Sequence, residues 1–258
     1  MKVVLLAGGK GTRISEESIY RPKPMIEIAN MPILWHIMKS YSYYGFNDFV
    51  ICAGYKQEYI KEWFGNYMIR MSDVTFDFAN NKRKINKSHV EPWNVTVVNT
   101  GLETMTGGRV KKIQEYIGDE TFLLTYGDAV CDVDIADTVK FHKEHGKIAT
   151  ITSVIQKQQK GILDISDVGA VKSFREKQVV DGSPINAGYM VLSPKVFDYL
   201  NNDSDVFETA VLEKLAVESE LMSYCHNGYW QCMDSLREKV ILETLVERGK
   251  APWIKWTD

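Results

Sequence analysis

The feature that most constrains how this chain can fold is an apolar run that passes directly into a glycine-rich loop. Val3–Ala7 are five consecutive apolar residues, and Gly8-Gly9-Lys10-Gly11 follow them. Apolar runs bounded by glycine are typical of strands buried on both faces of a parallel sheet. The polar stretch 8–24 is longer than an ordinary strand-to-helix connection, and such loops are often functional. The pattern predicts an α/β fold with a ligand loop after the first strand.

Strand and helix patterns then alternate along the first half of the chain. Strands are predicted at 49–53, 94–98, 122–125 and 148–154, and helices at 32–44, 58–67, 107–117 and 135–145. Strands separated by helical patterns of about 10–15 residues are typical of βαβ units. We therefore expect a Rossmann-like mixed, mainly parallel sheet flanked by helices.

The second half has a different pattern. Short strands are predicted at 163–165, 171–174 and 189–192 without a long helix between them, and helices at 196–200, 207–217 and 236–247. Short consecutive strands favour a small antiparallel β addition that covers a site from one side. The chain contains no linker-like tract, so we expect one domain, 1–258, whose two halves have different functions.

Composition excludes several classes of function. Thirty-one basic and 34 acidic residues give a net charge of −3, which argues against nucleic-acid binding by bulk electrostatics. No apolar run approaches the roughly 20 residues that cross a bilayer, and the N-terminal run is shorter than the core of a signal peptide. The four cysteines lack paired spacing. We expect a cytoplasmic protein without a nucleic-acid or membrane partner.

The glycine loop is the first candidate for chemistry. Its glycines let backbone N–H groups approach a phosphate closely, and Thr12 and Arg13 add donors. The loop is not a dinucleotide fingerprint, because Ile14 stands at the third glycine position, and it lacks the Gly-Lys-Ser/Thr end of a P-loop. A plain tight turn is the alternative interpretation.

Lys23 is the second candidate. It lies between Pro22 and Pro24, which restrict the backbone and so position the ammonium group. A positioned lysine suits a polyphosphate. Pro-Lys-Pro taken alone would more often be a rigid surface turn, but the glycine loop ten residues upstream favours a binding role.

Asp128 is the third candidate, because it follows the predicted strand 122–125, where ligands bind in open α/β sheets. Mg²⁺ prefers one or two carboxylates together with phosphate oxygens. Asp234 is our choice for the second carboxylate, with helix N-capping by Asp234 or Ser235 as the alternative. Asp132 and Asp134 are expected to solvate a loop or cap a helix.

The order of these motifs resembles that of the sugar-1-phosphate nucleotidyltransferases. Further segments resemble the glucose-1-phosphate cytidylyltransferase branch of that family: 32–38 (PILWHIM), 71–76 (MSDVTF), 91–96 (EPWNVT), 104–109 (TMTGGR) and 251–253 (APW). The resemblance implies a Rossmann-like homo-oligomer that joins CTP to glucose 1-phosphate, forming CDP-glucose and pyrophosphate with Mg²⁺.

The resemblance also implies roles for individual residues. Arg13 and Lys23 would be catalytic, and Asp128 and Asp234 would bind the metal. The nucleotide-binding set would be Leu6, Ala7, Gly8, Gly9, Gly11, Thr12, Arg13, Lys23, Thr106, Gly107 and Arg109, and the acceptor-binding set Tyr126, Glu176, Lys177, Asn186 and Ala187. Residues 1–145 would form the nucleotide-binding half, 146–234 the acceptor-binding half, and 235–258 a C-terminal helix and tail.

The acceptor half departs from the family pattern, and in the glycine loop Lys10 replaces the usual apolar residue. The acceptor-half departures are Gln158-Gln159-Lys160-Gly161, Glu176-Lys177-Gln178, Asn186-Ala187-Gly188 and Tyr126-Gly127-Asp128-Ala129. Sites that hydrogen-bond a substrate strongly reject ligands lacking its groups. Two alternatives to a glucose-1-phosphate cytidylyltransferase therefore stay open. The first is a CTP-dependent enzyme that acts on another sugar phosphate or on a non-sugar phosphate. The second is a nucleotide-binding regulator without turnover. The retained residues Arg13, Lys23, Asp128 and Asp234 argue against a regulator, because a protein that only binds a nucleotide need not keep metal-binding carboxylates.

Overall fold

The computed structural model describes residues 1–155, 162–165, 171–175 and 183–256, with the backbone alone for 162–165 and 171–175. The predicted acceptor residues Glu176 and Lys177 lie outside the described residues. In chain order the strands are β1 Val3–Ala7, β2 Glu27–Ile28, β3 Met31–Pro32, β4 Asp48–Ala53, β5 Ser72–Asp77, β6 Lys82–Ser88, β7 Asn94–Asn99, β8 Phe122–Tyr126, β9 Ala129–Cys131, β10 Ala149–Ile155, β11 Ile162–Ile165, β12 Val171–Arg175, β13 Pro184–Leu192, β14 Leu221–His226 and β15 Trp230–Cys232.

The α-helices are mostly short and lie between these strands. They are α1 Ser15–Ser18, α2 Ile33–Tyr43, α3 Gln57–Gly65, α4 Tyr67–Arg70, α5 Thr106–Lys112, α6 Gln114–Ile117, α7 Ile135–His145, α8 Glu213–Val217 and α9 Leu236–Glu247. Short 3-10 helices occupy Thr12–Ile14, Lys23–Met25 and Pro194–Tyr199, and a π-helix, Glu208–Leu212, leads into α8. In the described part of the chain no helix is long and apolar enough to span a membrane.

A seven-stranded sheet in the order β14-β10-β13-β8-β1-β4-β7 forms the centre of the molecule. Of its seven strands, β13 runs antiparallel to its neighbours β8 and β10, and the other pairings are parallel. The predicted fold class, a mainly parallel mixed sheet flanked by helices, is confirmed.

The apolar run of β1 is explained by burial on both faces of the sheet. Val3 and Leu5 belong to the core on one face, together with α2, and Val4 and Leu6 belong to the core on the other face, together with α5 and α6. These four side chains are buried. Transfer of such side chains from water stabilises the fold by about 1.5–3 kcal/mol each. The buried strand therefore fixes the point at which the glycine loop begins.

Part of the second half differs from the prediction. We expected 189–192 to be a short antiparallel addition, but β13 has nine residues and lies inside the central sheet. Its first half, Pro184 to Gly188, carries polar and small residues that hide the strand pattern. An antiparallel pair of the predicted kind does form between β11 and β12.

Several other β features have no counterpart in the prediction, among them the short β2–β3 pair. The β5–β6 hairpin is largely solvent-exposed and rich in lysine, which masks the alternation of Val74 and Phe76 along β5. The edge strand β14 pairs in parallel with β10, a contact between distant segments. The antiparallel β9–β15 ribbon joins two three-residue strands, each too short to be recognised in the sequence.

Candidate active site

A cleft of about 400 Å³ opens at the carboxyl ends of β1 and β8. Its lining residues are Leu6, Ala7, Gly8, Gly9, Gly11, Thr12, Arg13, Lys23, Pro24, Thr104, Met105, Thr106, Arg109, Tyr126, Gly127 and Asp128. Every residue predicted to bind the nucleotide is in this set except Gly107. The cleft therefore brings together the segments that the sequence singled out.

The glycine loop is shaped by two close approaches. Gly11 has φ of +64°, and a Cβ atom there would lie 2.9 Å from Cβ of Lys23. A Cβ atom on Gly8 would lie only 2.1 Å from Nη1 of Arg109. Glycine allows both the left-handed backbone and the contact without a side chain in the way. The loop can therefore lie directly against a lysine and an arginine.

Lys23 is the centre of the charged end of the cleft. Its side chain is 9% exposed, and Nζ donates to Oδ2 of Asp128 at 2.6 Å and to Oδ1 of Asp234 at 2.5 Å. Pro22 precedes Lys23 in extended backbone, and Pro24 packs against Gly127. The Pro-Lys-Pro segment is thus a buried support for the ammonium group rather than a surface turn.

Asp234 binds both cations of the predicted set. Its Oδ2 accepts from Nη1 of Arg13 at 2.7 Å, while Oδ1 accepts from Lys23. Ser235, and not Asp234, caps α9, because the hydroxyl of Ser235 accepts from the N–H of Glu238. The carboxylate of Glu238 in turn accepts a hydrogen bond from the N–H of Asp234 at 2.6 Å. This box satisfies backbone donors at the start of α9 and leaves the carboxylate of Asp234 in the site.

The β9–β15 ribbon sets the spacing of the two carboxylates. Asp128 comes just before β9, and Asp234 comes two residues after β15. Ala129 pairs with Cys232, and the N–H of Met233 donates to the carbonyl of Asp128 at 2.9 Å. The ladder thus fixes the backbones of both aspartates at the same end of the ribbon.

The charges of this cluster support one another. Burial lowers the pKa of Lys23, but the charges and hydrogen bonds of Asp128 and Asp234 outweigh burial and raise it above the ordinary 10.5. Burial raises the pKa of Asp234, yet Lys23 and Arg13 together bring it below the ordinary 3.8. Lys23 and Asp234 are therefore both charged at neutral pH.

Asp134 has the capping role expected of it, whereas Asp132 neither caps a helix nor solvates a loop but binds another segment of the fold. Asp134 caps α7, because its carboxylate accepts from the N–H of Asp137 at 2.9 Å. Asp132 accepts from the N–H of Tyr229 at 2.6 Å and is hydrogen-bonded to His226 at 2.7 Å. Neither lines the cleft.

Arg109 carries a buried positive charge along the cleft wall. Its Nη1 donates to Oγ1 of Thr100 and to the carbonyl of Gly101, both at 2.7 Å. Burial lowers the pKa of Arg109, but an arginine is not deprotonated in proteins. Because these acceptor oxygens are uncharged, the positive charge of Arg109 stays available to attract an electron-rich group of a ligand.

Gly107 is brought to a different place from the rest of the nucleotide set. A Cβ atom there would lie 2.7 Å from the carbonyl oxygen of Asp205. The residue therefore packs against the loop at 203–205 and does not line the cleft.

The described acceptor residues lie close to one another. The ring of Tyr126 rests on Gly188, where a Cβ atom would lie 2.4 Å from Cδ2 of the ring. Asn186 accepts from the N–H of Gly188 at 2.9 Å. Ala187 is 2% exposed, and its carbonyl accepts from the indole of Trp230 at 2.8 Å. The methyl of Ala187 is therefore packed inside the fold and does not narrow the cleft.

Glu208 is a residue of this region that was not predicted, and it hydrogen-bonds the side chains of Tyr126 and Thr106. No motif marks Glu208, which is 82 residues from Tyr126 and 102 from Thr106. Thr104 and Met105 also line the cleft. They could have been found, because they belong to the same TMTGGR segment as Arg109.

The paired carboxylates suit a divalent cation. One oxygen of Asp128 and one of Asp234 lie within hydrogen-bond distance of the same nitrogen of Lys23, so the two carboxylates converge on one cation, the ammonium group. Mg²⁺ takes oxygen ligands at about 2.0–2.1 Å and is bound through one or two carboxylates plus substrate phosphates. The pair, beside a cleft lined by phosphate-type donors, meets those requirements.

An α/β sheet with a glycine loop, a fixed lysine and paired carboxylates at one edge defines a nucleotidyltransferase. The family model described as Nucleotidyl transferase matches residues 2–235. The chain is 55% identical to the glucose-1-phosphate cytidylyltransferase of Salmonella typhimurium, over 99% of this chain and 100% of the relative. It is 42% identical to the "probable glucose-1-phosphate cytidylyltransferase" of Bacillus subtilis, with the same coverage. The chain belongs to the glucose-1-phosphate cytidylyltransferase family.

Solved structures share the fold. HddC from Yersinia pseudotuberculosis superposes with a TM-score of 0.68 at 22% identity, covering 95% of this chain and 99% of that one. Apo UDP-glucose pyrophosphorylase superposes with a TM-score of 0.70 at 15% identity, covering 96% and 98%. At these identities the likeness concerns the fold alone.

Proposed function

We propose that this enzyme joins CTP to glucose 1-phosphate, forming CDP-glucose and releasing pyrophosphate. The observation that carries the proposal is the position of the Lys23 ammonium between Asp128 and Asp234, at the end of a cleft lined by the glycine loop. The 55% identity to a named glucose-1-phosphate cytidylyltransferase supports the choice of substrates.

The reaction requires positioning more than acid–base chemistry. An oxygen of the acceptor phosphate is already an anion, and it attacks the α-phosphorus of CTP in line while pyrophosphate leaves. The difficulty is to hold two mutually repelling anions together and to offset the charge that develops on the leaving group. A cleft with fixed cations at one end meets that requirement.

Arg13 and Lys23 would offset the charge of the triphosphate, next to the backbone N–H groups of the glycine loop. Asp128 and Asp234 would hold Mg²⁺, which when bound supplies positive charge shared between phosphate oxygens. Arg109, which packs against Gly8 of the glycine loop, would contact the nucleotide.

The acceptor would lie on the side of the cleft where β8 and β13 are neighbours. Tyr126, Asn186 and Ala187 would border the acceptor, with Ala187 contributing backbone, because its methyl is buried. Glu176 and Lys177, outside the described residues, keep the role that the family resemblance implies, which is to hold the sugar phosphate. Residues 1–145 would then act as the nucleotide-binding half and 146–234 as the acceptor-binding half of one domain.

We also propose that the enzyme is a cytoplasmic homo-oligomer. All four cysteines are free thiols, as is usual in a reducing compartment. The β5–β6 hairpin exposes Phe78 (90% exposed) stacked on Phe76. A two-stranded hairpin is marginally stable alone, so a second copy of the chain would cover it. Light scattering of the wild type and of Phe78→Ser tests this, and a monomeric wild type would contradict it.

A panel of acceptors tests the proposed reaction. Pyrophosphate release is measured with CTP, Mg²⁺ and glucose 1-phosphate, other sugar 1-phosphates or non-sugar phosphates. We expect the highest kcat/KM with glucose 1-phosphate. Faster release with another acceptor would instead favour the alternative function, to which the departures at 158–161 and Gln178 point. Tight CTP binding with no release for any acceptor would contradict both.

A further inference from the structure

Glu208 binds two side chains of the cleft wall, one with each carboxylate oxygen. Tyr126, at the end of β8, donates its hydroxyl to Oε1, and Thr106, at the start of α5, donates to Oε2 at 3.0 Å. Oγ1 of Thr106 in turn accepts from the N–H of Phe207 at 2.9 Å. Thr106 and Tyr126 line the cleft, whereas Glu208 does not line it and reaches it through their side chains. The carboxylate is therefore placed to act through other residues.

The segment that carries Glu208 is held firmly against α5. The carbonyl of Asp203 accepts from the N–H of Met105 at 2.8 Å, and the carbonyl of Asp205 accepts from the N–H of Gly108 at 3.1 Å. These bonds use N–H groups at the start of α5 that would otherwise be free for a ligand. Glu208 then begins a π-helix, a form that is frequent at functional sites.

The two partners of Glu208 belong to opposite sides of the proposed reaction. Thr106 starts the helix that carries Arg109, on the nucleotide side. Tyr126 precedes Asp128 by two residues, and its ring rests on Gly188 of β13, on the acceptor side. One carboxylate thus fixes side chains from both sides.

We infer that Glu208 is a positioning residue that sets the placement of the nucleotide relative to the phosphorylated acceptor, through Thr106 and Tyr126. This inference rests on the proposed function, because it takes the two sides of the cleft as the two substrate sites. Without the carboxylate, the Tyr126 hydroxyl loses this acceptor and the Thr106 hydroxyl keeps the N–H of Phe207, so the two side chains are no longer tied to each other. In-line attack is sensitive to misplacement of this kind.

The experiment separates the KM values of the two substrates. Tyr126→Phe should raise the KM for the acceptor and Thr106→Val the KM for CTP, whereas Glu208→Ala should raise both by about tenfold. Glu208→Gln keeps an oxygen for the Tyr126 hydroxyl, and its amide N–H can donate to Oγ1 of Thr106, so both KM values should stay within about threefold of the wild type. Combining Tyr126→Phe with Glu208→Ala should add little to the acceptor KM of Glu208→Ala alone.

A matched control comes from Glu218, which accepts from the hydroxyl of Tyr199 at 2.5 Å on the exposed surface, away from the cleft. Glu218→Ala removes the same kind of hydrogen bond and should leave both KM values unchanged. Wild-type KM values in Glu208→Ala, or additive effects in the double variant, would overturn the inference.

Calorimetric titration with CTP alone keeps this inference separate from the proposed function. A wild type that binds CTP but releases no pyrophosphate with any acceptor would contradict the proposed function. The CTP affinity of Glu208→Ala would still test the positioning role, and an affinity equal to that of the wild type would overturn it.

Discussion

Lys23 donates from one nitrogen to two carboxylates that are 105 and 211 residues away in the chain, those of Asp128 and Asp234. The glycine loop lies on one side of this lysine, and the β9–β15 ribbon places the two aspartates on the other. The lysine therefore joins the part of the cleft suited to phosphates and the part suited to a cation.

Removing the charge of Lys23 should abolish most turnover. Lys23→Met keeps the aliphatic stem against Gly11 but leaves two carboxylates without their common partner. We expect kcat to fall by about 10²–10³-fold, as for the loss of other fixed charge-stabilising donors. Lys10→Met, which removes only an exposed ion pair with Glu103, is the control. Near-normal pyrophosphate release by a folded Lys23→Met protein would remove Lys23 from the mechanism.

Gly8→Ala should weaken CTP binding. The new methyl would lie 2.1 Å from Nη1 of Arg109, so the guanidinium must leave Thr100 and Gly101 or the loop must shift. We expect at least a tenfold rise in the Kd for CTP by calorimetry. Gly65→Ala is the control, because a Cβ atom there meets nothing within 4 Å. Equal affinities for the two variants would contradict the tight packing of Arg109 on the loop.

Ser235→Ala should separate capping from catalysis. The hydroxyl of Ser235 caps α9, so its removal should lower the free energy of unfolding by about 1 kcal/mol. Turnover should change little, because Arg13 and Lys23 still hold Asp234. Asp234→Asn should show the opposite pattern, in which turnover is lost and the free energy of unfolding changes little. Urea unfolding and pyrophosphate release measure both, and full activity in Asp234→Asn would show that its carboxylate has no catalytic role.

Acid should destabilise the fold through His36. Burial lowers the pKa of His36 to about 4, against which its hydrogen bond to the carbonyl of Ile28 is a smaller effect. The unfolded chain takes up a proton near pH 6.5, whereas the folded chain resists until about pH 4. The stabilisation is therefore full above pH 6.5 and is lost as the pH falls to about 4, by about 3 kcal/mol.

Urea unfolding at pH 7.5 and pH 5 measures this effect. His36→Gln should have lower stability at pH 7.5, because the packing against Trp253 is disturbed, and a shallower decline between the two pH values. An equal decline in the wild type and in His36→Gln would show that His36 is not the group responsible.

Much of the fold was predictable, because its central strands are continuous apolar runs that must be buried on both sheet faces. β1, α7 and α9 begin and end at the predicted residues. The elements that were missed depend on distant partners. β14 forms on β10, and the first half of β13, which carries polar and small residues, takes its ladder from β10, since β8 pairs with Tyr189–Leu192.

The candidate site was predictable where chemistry and backbone demands coincide in a short segment, as in the glycine loop and at Pro22-Lys23-Pro24. Glu208 was not predictable, because it acts through side chains about 80 and 100 residues away. The buried methyl of Ala187 was also hidden, since the sequence does not say which way a residue of β13 faces.

The most direct test of the central claim is a crystal structure of the enzyme with CTP and Mn²⁺, an ion that scatters anomalously and prefers the same oxygen ligands as Mg²⁺. We predict an anomalous peak bound to one oxygen each of Asp128 and Asp234, with the triphosphate on the glycine loop within reach of Arg13 and Lys23. A triphosphate bound elsewhere, or an ion held without either aspartate, would contradict it.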